Sequence, residues 1–374
     1  METAIAELEQ RTAGPRYLEL DGLRGLAAFT VIWHHFWLMF GLPEPWYVTP
    51  LIAGKQAVLL FFVLSGFVLS LPFWNRGSLG NYRAFIIRRF FRIYVPFAAA
   101  ICLSALGAIL WGQHNLPLGW FFHATWQVPV TASLLFHHLM MGPGHELNNA
   151  LWSLRIEAQM SIAFPLLLIV TRLIGPPLMT AISFLLIAVG SHYAAKGSAN
   201  PFLYLNIIQY SGMFLVGALL AQNRAVIHRV WDKVPPAWKA LFFITSVLLY
   251  WGDADNICRQ LHWPSPLNLA PLLGSVGLLI CSIHVGWFRH MLRGWLANYL
   301  GWVSFSLYLL HEPVLYAITV LGFGKLPLIL LALLYLVMAM TLSHVFCFVV
   351  EEPSLRVGKR FAAIHATKRP FASI

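Results

Sequence analysis

The chain contains few charged residues for its length. Only 10% of its 374 residues are Asp, Glu, Lys or Arg, whereas soluble domains carry roughly 25%. Apolar residues make up 59% of the sequence. This scarcity of charge excludes an ordinary water-soluble domain and indicates a protein that lies largely in lipid.

Cysteine is also scarce, and no internal repeat is visible. The four cysteines (Cys102, Cys258, Cys281 and Cys347) show neither metal-type nor redox spacing. The sequence therefore lacks the sign of duplicated halves that is common in transporters. Residues 1–17 hold three glutamates and no small-residue cleavage site follows the first apolar run, so we expect no cleaved secretory signal.

Long apolar runs are abundant instead. A helix needs about 20 such residues to cross a hydrocarbon core of about 30 Å. Ten runs approach this length: 20–40, 55–74, 88–111, 148–171, 177–194, 204–222, 238–252, 266–286, 296–318 and 327–350. They predict an all-α polytopic transmembrane helical bundle of about ten spans. We divide the chain into an N-terminal tail 1–16, one transmembrane domain 17–360 and a C-terminal tail 361–374.

The net charge of +11 has a topological explanation. With ten spans, 20 of the 25 Lys and Arg fall in segments assigned to one side of the membrane. By the positive-inside rule that side is the cytoplasm, so both termini are predicted to be cytoplasmic. The distribution therefore argues against a nucleic-acid-binding surface.

The longest segment between predicted spans, residues 112–147, is rich in Trp, Phe and His; we call it the aromatic segment. Such a composition suits a helix in the membrane interface. Two interpretations are open, an ordinary interfacial loop or a cover over an acceptor site. The loop 252–265, with Asp253 and Asp255, is expected to face the same outer side.

The first run places Arg24 near its cytoplasmic end and His35 eleven residues deeper. Eleven residues of helix make three turns plus about 20° and rise about 16 Å, so both side chains share one face. An arginine fork binds phosphate, and a histidine exchanges protons. The spacing matches the phosphates and thioester of coenzyme A, whose arm spans about 15–20 Å. The alternative is an anchoring arginine and a histidine that only hydrogen-bonds within the bundle.

Further basic residues crowd the start of the third run. Arg88, Arg89 and Arg92 would bind a polyphosphate or serve only as positive-inside anchors. In the preceding run, Ser65 and Gly66 interrupt bulky residues and predict a close helix contact.

Polar residues also occur in three later runs. Trp152, Arg155 and Glu157 open the fourth, where Glu157 would either pair with an arginine or orient a histidine. The remaining candidates are Ser306, Tyr308, His311 and Glu312 in the ninth run and Glu351, for which pairing with the cytoplasmic arginines is expected.

Taken together, these segments resemble the acyltransferase 3 family of membrane O-acyltransferases, which modify bacterial surface polysaccharides and related acceptors. The matching motifs are DGLRGLAAFTVIWHH, FFVLSGF, RRFFRIYVPF, LWSLRIEAQ, SFSLYLLHEP and EEP. They occur in the family's order over residues 17–360. One departure is Phe305, where many members have tyrosine, so substrate preference does not transfer directly.

The resemblance implies a multi-pass protein of the bacterial inner membrane that takes an acyl group, most often acetyl, from cytoplasmic acyl-CoA to a carbohydrate or related hydroxyl on the outer side. It implies His35 and Glu157 as catalytic residues. It assigns donor binding to Arg24, Arg88, Arg89 and Arg92, and substrate binding to Trp152, Tyr308 and His311. No metal or permanently bound cofactor is expected. A second processing step would use a separate periplasmic or extracellular protein, because the chain lacks the soluble hydrolase-like domain fused to some members.

Two rival functions remain open from the sequence. A transporter or flippase of a glycan or lipid-linked intermediate would explain many spans and intramembrane charges, without thioester cleavage. A haem or quinone protein would use buried histidine pairs as ligands or proton relays.

Overall fold

A computed structural model describes residues 17–76, 81–195, 205–252 and 269–366. Over these ranges the chain is helical and has no strand, as the composition predicted. The loop with Asp253 and Asp255, Cys258 and most of both tails lie outside the described residues. The helices are α1 (Leu18–Phe40), α2 (Gly54–Arg76), α3 (Tyr82–Trp111), α4 (Trp120–Ala124), α5 (Ala132–Leu139), α6 (Trp152–Ile174), α7 (Pro176–Ala195), α8 (Leu205–Gln222), α9 (Arg224–Lys233), α10 (Pro236–Trp251), α11 (Leu269–His284), α12 (Gly286–Leu292), α13 (Trp295–Gly322), α14 (Leu328–Phe346) and α15 (Glu352–Ala366).

Helix boundaries follow local sequence signals. The side chain of Asn81 accepts from the backbone N–H of Ala84 at 3.1 Å and caps α3. Thr131 caps α5 in the same way, and α1 ends where Gly41 adopts a left-handed conformation with φ of 58°. These residues satisfy backbone groups that a helix end leaves without partners.

Each of the ten predicted runs coincides with a helix, but the predicted count of ten spans is not confirmed. Among the described residues, five helices are long and apolar enough to cross a membrane, or six if α11 and α12, which meet at 92°, form one broken span. Helices such as Pro236–Trp251, with 16 residues, measure about 24 Å, less than a hydrocarbon core of about 30 Å. In α1, Arg24 and two histidines lower the hydropathy.

Helix α13 lies at the centre of the bundle. Its apolar stretch is 83% buried, against 28% for the long helical unit Leu328–His365. Helix α13 packs along α1 and α14, while α2 packs on α8 and α3 on α15. The central position explains how one helix can carry several buried polar side chains and present them to its neighbours.

Small residues set the distance between α2 and α8. A Cβ placed on Gly66 would lie 2.0 Å from the carbonyl oxygen of Phe214, and one on Gly217 would lie 2.1 Å from that of Val63. The packing role predicted for Gly66 is therefore confirmed. Close backbone contact of this kind replaces side-chain interdigitation in membrane helix pairs.

Candidate active site

A glycine contact aligns α1 with α13. A Cβ on Gly25 would lie 2.3 Å from the backbone nitrogen of Gly301, so the two backbones touch. His35 and His311 each stand ten residues further along their own helix. Because α1 and α13 run in the same direction, a rise of about 15 Å along both helices brings the two histidines to one level. The shared direction agrees with their prediction as the first and ninth runs of an alternating bundle.

The two histidines are hydrogen-bonded to each other. His35 Nδ1 and His311 Nε2 lie 2.7 Å apart, and His311 Nδ1 lies 2.8 Å from the carbonyl oxygen of Tyr308. A carbonyl can only accept, so His311 Nδ1 carries the proton and His311 Nε2 is the acceptor. His35 Nδ1–H therefore donates to His311, and His35 Nε2 retains its lone pair.

Burial distinguishes the roles of the two rings. His311 is 0% exposed, whereas His35 is half-buried. In the described part of the chain, no group hydrogen-bonds to His35 Nε2. A substrate could therefore reach the ring of His35 but not the buried ring of His311. The predicted roles of His35 in catalysis and of His311 in substrate binding stay predictions.

The aromatic segment covers this pair. The ring of Phe121 stacks on His35 with 5.2 Å between centroids, and the Tyr316 hydroxyl of α13 donates to the Phe121 carbonyl. The indole of Trp126 donates to the Ser104 hydroxyl of α3 at 3.0 Å. These contacts place Phe121 of the aromatic segment over His35, and the interpretation of the segment as a cover over an acceptor site stays a prediction.

A histidine–carboxylate pair lies near the C-terminal end of the aromatic segment. His138 Nε2 lies 3.1 Å from Glu146 Oε2. Burial lowers the pKa of His138 and outweighs the opposing effect of Glu146. Burial alone would raise the pKa of Glu146, but the backbone hydrogen bond and the charges of His138 and His145 lower it. Both groups therefore bind a proton less readily than they would in an unfolded chain.

Helix α13 also holds the residues that precede α6. Glu312 is fully buried, and its two oxygens accept the backbone N–H groups of Asn149 at 3.0 Å and Ala150 at 2.6 Å. The Asn148 amide donates to the Leu309 carbonyl at 3.0 Å. A carboxylate at a helix start satisfies N–H groups that have no partner within the helix.

Tyr308 belongs to the same connection. Its hydroxyl donates to the Ala150 carbonyl at 2.8 Å and lies 2.7 Å from the Ser153 hydroxyl. Because the Tyr308 hydroxyl already hydrogen-bonds within the protein, only the aromatic ring of Tyr308 could contact a substrate, and its predicted role in substrate binding stays a prediction. The half-buried ring of Trp152 lies 5.4 Å from that of Tyr210, and its predicted role in substrate binding stays a prediction.

Three arginines form a basic cluster nearer the start of α1. Arg89 Nη2 is 2.7 Å from Glu157 Oε1, and Arg89 Nε donates to Ser161 at 2.9 Å. Arg24 is 3.4 Å from Asp21. Arg24 also lies within electrostatic range of Arg92, Glu157 and Arg89. We call Arg24, Arg89 and Arg92 the arginine cluster; its predicted role in donor binding stays a prediction.

Three further predicted site residues lie in or next to the arginine cluster. Glu157 binds Arg89, so the interpretation in which it pairs with an arginine agrees with the geometry, and the one in which it orients a histidine does not; its catalytic role stays a prediction. Arg88 is exposed on α3, beside Arg89. Buried Glu351 accepts from the Ser306 hydroxyl at 2.6 Å and lies within electrostatic range of Arg92. Its pairing with a cytoplasmic arginine stays a prediction.

Sequence reasoning missed three contributions to the site: the contact between the histidines, the stacking of Phe121 and the hydrogen bonds of Glu312. One signal was available, because Gly25 and His35 have the same ten-residue separation as Gly301 and His311. A repeated separation of a small residue and a histidine on two parallel helices predicts that the histidines meet if the glycines do.

Comparison with known proteins supports the family resemblance found in the sequence motifs. The sequence profile of the acyltransferase 3 family, described as an acyltransferase domain, matches residues 17–348. The O-acetyltransferase PaAT-1 of Phomopsis amygdali is 21% identical over 79% of this chain and 71% of its own length. The putative peptidoglycan O-acetyltransferase YrhL of Bacillus subtilis (strain 168) is 26% identical over 82% of this chain. The chain spans only half the length of that second relative.

No solved structure matches the chain. The family profile nevertheless covers the helices that carry the histidine pair and the arginine cluster. The chain therefore belongs to the acyltransferase 3 family, and it is a membrane-helix protein of the O-acyltransferase class.

Proposed function

We propose that the protein transfers an acyl group, acetyl in the commonest family case, from cytoplasmic acyl-CoA to a hydroxyl of a carbohydrate or related acceptor on the outer side of the membrane. The observation that carries the proposal is the hydrogen bond between His35 and His311. It leaves one half-buried imidazole nitrogen with an available lone pair at the level covered by Phe121. Such a nitrogen serves either as a general base or as a nucleophile.

In the direct route, His35 Nε2 removes the proton from the acceptor hydroxyl as its oxygen attacks the thioester carbonyl. The C–S bond then breaks, and the coenzyme A thiolate takes the proton from His35. His311 keeps the His35 ring in the required tautomer, because its own Nδ1–H is held by the Tyr308 carbonyl. Two imidazolium rings whose centroids lie 4.8 Å apart would repel each other, so the pair accepts one proton at a time.

A covalent route uses the same nitrogen. His35 Nε2 attacks the thioester carbonyl, the C–S bond breaks and coenzyme A leaves as a thiolate. The acceptor hydroxyl then attacks the acyl-imidazolium, the N–acyl bond breaks, and the hydroxyl proton passes to the released imidazole and from it to the thiolate. This route suits a donor and an acceptor that arrive from opposite sides, because the acyl group waits on His35 between the two encounters.

The arginine cluster supplies the donor site in this proposal. Guanidinium groups bind phosphates with paired hydrogen bonds, and Arg24 lies about 16 Å below His35 along α1. That distance suits the arm of coenzyme A, about 15–20 Å when extended. Asp21 and Glu157 hold the arginines in place until phosphate oxygens replace the carboxylates.

The membrane arrangement is part of the proposal. Ten spans with both termini in the cytoplasm, in a bacterial inner membrane, put the arginine cluster on the cytoplasmic side and the aromatic segment on the outer side. Labelling of single cysteines introduced at Lys55 and at Arg360 in intact cells tests this. We expect a membrane-impermeant maleimide to modify the first position only; labelling of both or of the second alone contradicts the topology.

The test of the activity is release of free thiol from acetyl-CoA by the purified protein, with and without a carbohydrate acceptor. We expect His35→Ala to reduce thiol release by at least about 100-fold. Arg24→Ala should raise the acetyl-CoA concentration needed for half-maximal rate. His344→Gln is the matched control, because His344 is exposed on α14 and hydrogen-bonds to Tyr299.

Equal thiol release by the wild type and His35→Ala would refute the assigned role of His35. Absence of both acyl-CoA binding and turnover over several acyl lengths would favour the transporter alternative, which predicts substrate movement without thioester cleavage.

A further inference from the structure

A cavity apart from the histidine pair lies among the helix ends near the start of α1. Its volume is about 350 Å³. Tyr17, α2, the junction of α8 and α9, and the bend between α11 and α12 enclose it. One wall is apolar and includes Phe67, Leu220 and Ile280, while Arg224 and Arg289 stand on the rim. The cavity therefore combines a cationic opening with a hydrophobic interior.

The two rim arginines have different surroundings from the arginine cluster. Arg224 donates to the Asn75 side-chain oxygen and to the Ala221 carbonyl, and Arg289 donates to the Ile283 carbonyl at 3.4 Å. Neither forms an ion pair with a carboxylate of the described residues. In contrast, Arg24 and Arg89 each have a carboxylate partner. The cavity rim thus keeps two positive charges available to an anion.

Two stacked histidines add to this rim. His228 and His284 lie 5.4 Å apart between ring centroids. The nearby acid is Asp232, 3.7 Å from His228. A second opening that shares Arg289 continues past His290 and Arg293. Arg293 lies 4.0 Å from Glu19 Oε2, so of these two arginines Arg289 is the one without a carboxylate partner among the described residues.

We propose that this cavity binds the phosphate headgroup of an anionic phospholipid, whose acyl chain lies along Phe67, Leu220 and Ile280. Guanidinium groups match phosphate oxygens, and basic pockets between membrane helices bind anionic headgroups. The apolar wall distinguishes a lipid from inorganic phosphate or a nucleotide, because neither of the latter has a chain to fill it.

Helix α9 supports the position of the site at the membrane surface. Val226 and Val230 are exposed on this short helix, which also carries Arg229 and Lys233. Exposed apolar side chains next to cations are typical of a helix that lies in the interface. A lipid bound in the cavity would touch Tyr17, which directly precedes α1, and Arg289 on α12, the helix before α13.

The test measures lipid binding by the full-length protein in detergent. Phosphatidylglycerol is added in mixed micelles, with phosphatidylcholine of the same acyl chains as the comparison. Native mass spectrometry counts bound lipid, and thermal unfolding gives the midpoint. We expect phosphatidylglycerol to bind and raise the midpoint, and phosphatidylcholine to do neither. Arg224→Gln and Arg289→Gln should each weaken binding about fivefold.

The matched control is Arg229→Gln. Arg229 lies on α9 like Arg224 but does not line the cavity, so this variant should bind phosphatidylglycerol like the wild type. Equal binding of the two lipids, or unchanged binding by both single variants, would overturn the proposal. Displacement of phosphatidylglycerol by inorganic phosphate would show a general anion site, and displacement by coenzyme A a donor site; either would also overturn it. Since no readout involves acyl transfer, the result stands apart from the proposed activity.

Discussion

The histidine pair and the arginine cluster are held by different forces. His35 and His311 are joined by a hydrogen bond whose direction is set by a backbone carbonyl, within tightly packed helices. Arg24 and Arg89 are held by carboxylates, and their side chains are 22% and 11% exposed. The first arrangement cannot change without moving a helix, whereas the second can exchange one anion for another.

This difference matches the two tasks that we propose, a general base at His35 and a phosphate site at the arginine cluster. A base must be presented in one tautomer and one position, because small displacements of a reacting group cost much of the rate. A phosphate site must release as well as bind, and internal ion pairs keep buried arginines stable while the donor is absent. Substitutions at the pair should therefore act on kcat, and substitutions at the cluster on KM.

The largest effect is expected for His311→Phe. Loss of the acceptor frees His35 Nδ1–H and removes the preference for the tautomer with a basic Nε2. We expect kcat to fall about 100-fold or more while KM for acyl-CoA stays unchanged. Steady-state thiol release measures both constants.

His311→Gln is the companion variant, because its amide oxygen can accept from His35 and should recover part of the rate. If the rate of thiol release fell in both variants only because KM for acyl-CoA rose, His311 would belong to the donor-binding site. That outcome would remove the contrast between the two regions.

The next effect is expected for Gly25→Ala. The added Cβ would lie 2.3 Å from the Gly301 nitrogen, so α1 must move away from α13. Overpacking of this kind costs about 1–3 kcal/mol, and the shift separates the histidines. We expect a lower thermal midpoint together with a lower kcat.

Gly119→Ala serves as the control, because a Cβ placed on Gly119 would have no atom within 4 Å and the residue's φ is −73°. An active Gly25→Ala enzyme with normal kcat would show that the glycine contact does not set the histidine geometry.

A smaller effect is expected in the arginine cluster. Arg89→Lys keeps the charge but loses the fork that contacts Glu157 and Ser161 together. We expect KM for acyl-CoA to rise about tenfold and kcat to change little. Initial rates over a range of donor concentrations separate the two constants.

Glu157→Gln sharpens the same comparison. If Glu157 only holds Arg89, its substitution changes KM alone. A drop in kcat of about 100-fold or more would instead restore the catalytic role predicted from the sequence.

The smallest effect concerns pH and the aromatic segment. The pKa values of His138 and Glu146 are both lowered in the fold, so the unfolded segment binds more protons as pH falls. Stability of the segment should be highest above pH 6.5, the ordinary value for His138. It should decrease as pH falls through that value and then through 4.5, the ordinary value for Glu146. Hydrogen exchange of residues 112–147, corrected for intrinsic pH dependence, measures this.

In Glu146→Gln the lower of these two steps should disappear. Exchange that slows toward acidic pH in the wild type would contradict the assigned signs.

Much of the architecture was predictable because lipid imposes a strong composition rule. Each apolar run became a helix, since backbone groups in a membrane must be satisfied within the segment. The number of spans was less predictable. The length of α10 and the hydropathy of α1 are close to the minimum needed for a membrane span. Whether each helix is buried depends on the neighbouring helices.

The sequence named candidate site residues but predicted only part of their contacts. His35, Arg24 and Arg89 were identified by residue type, depth and family motif. The partner of Glu157 was left between an arginine and a histidine, because a charge in a span says only that some partner is needed. Phe121 was hidden in a segment whose many aromatic residues look alike from the sequence.

The sequence by itself determined that the protein is helical, that it contains helices fit for a membrane, and that it belongs to a family of acyltransferases. Periodicity, hydropathy and ordered motifs act along the chain and are readable there. Only the tertiary structure decided that His311 hydrogen-bonds to His35, that Glu312 accepts the N–H groups before α6 and that Arg89 pairs with Glu157. Those choices depend on which backbones approach closely enough to touch, and glycine contacts between distant helices set that distance.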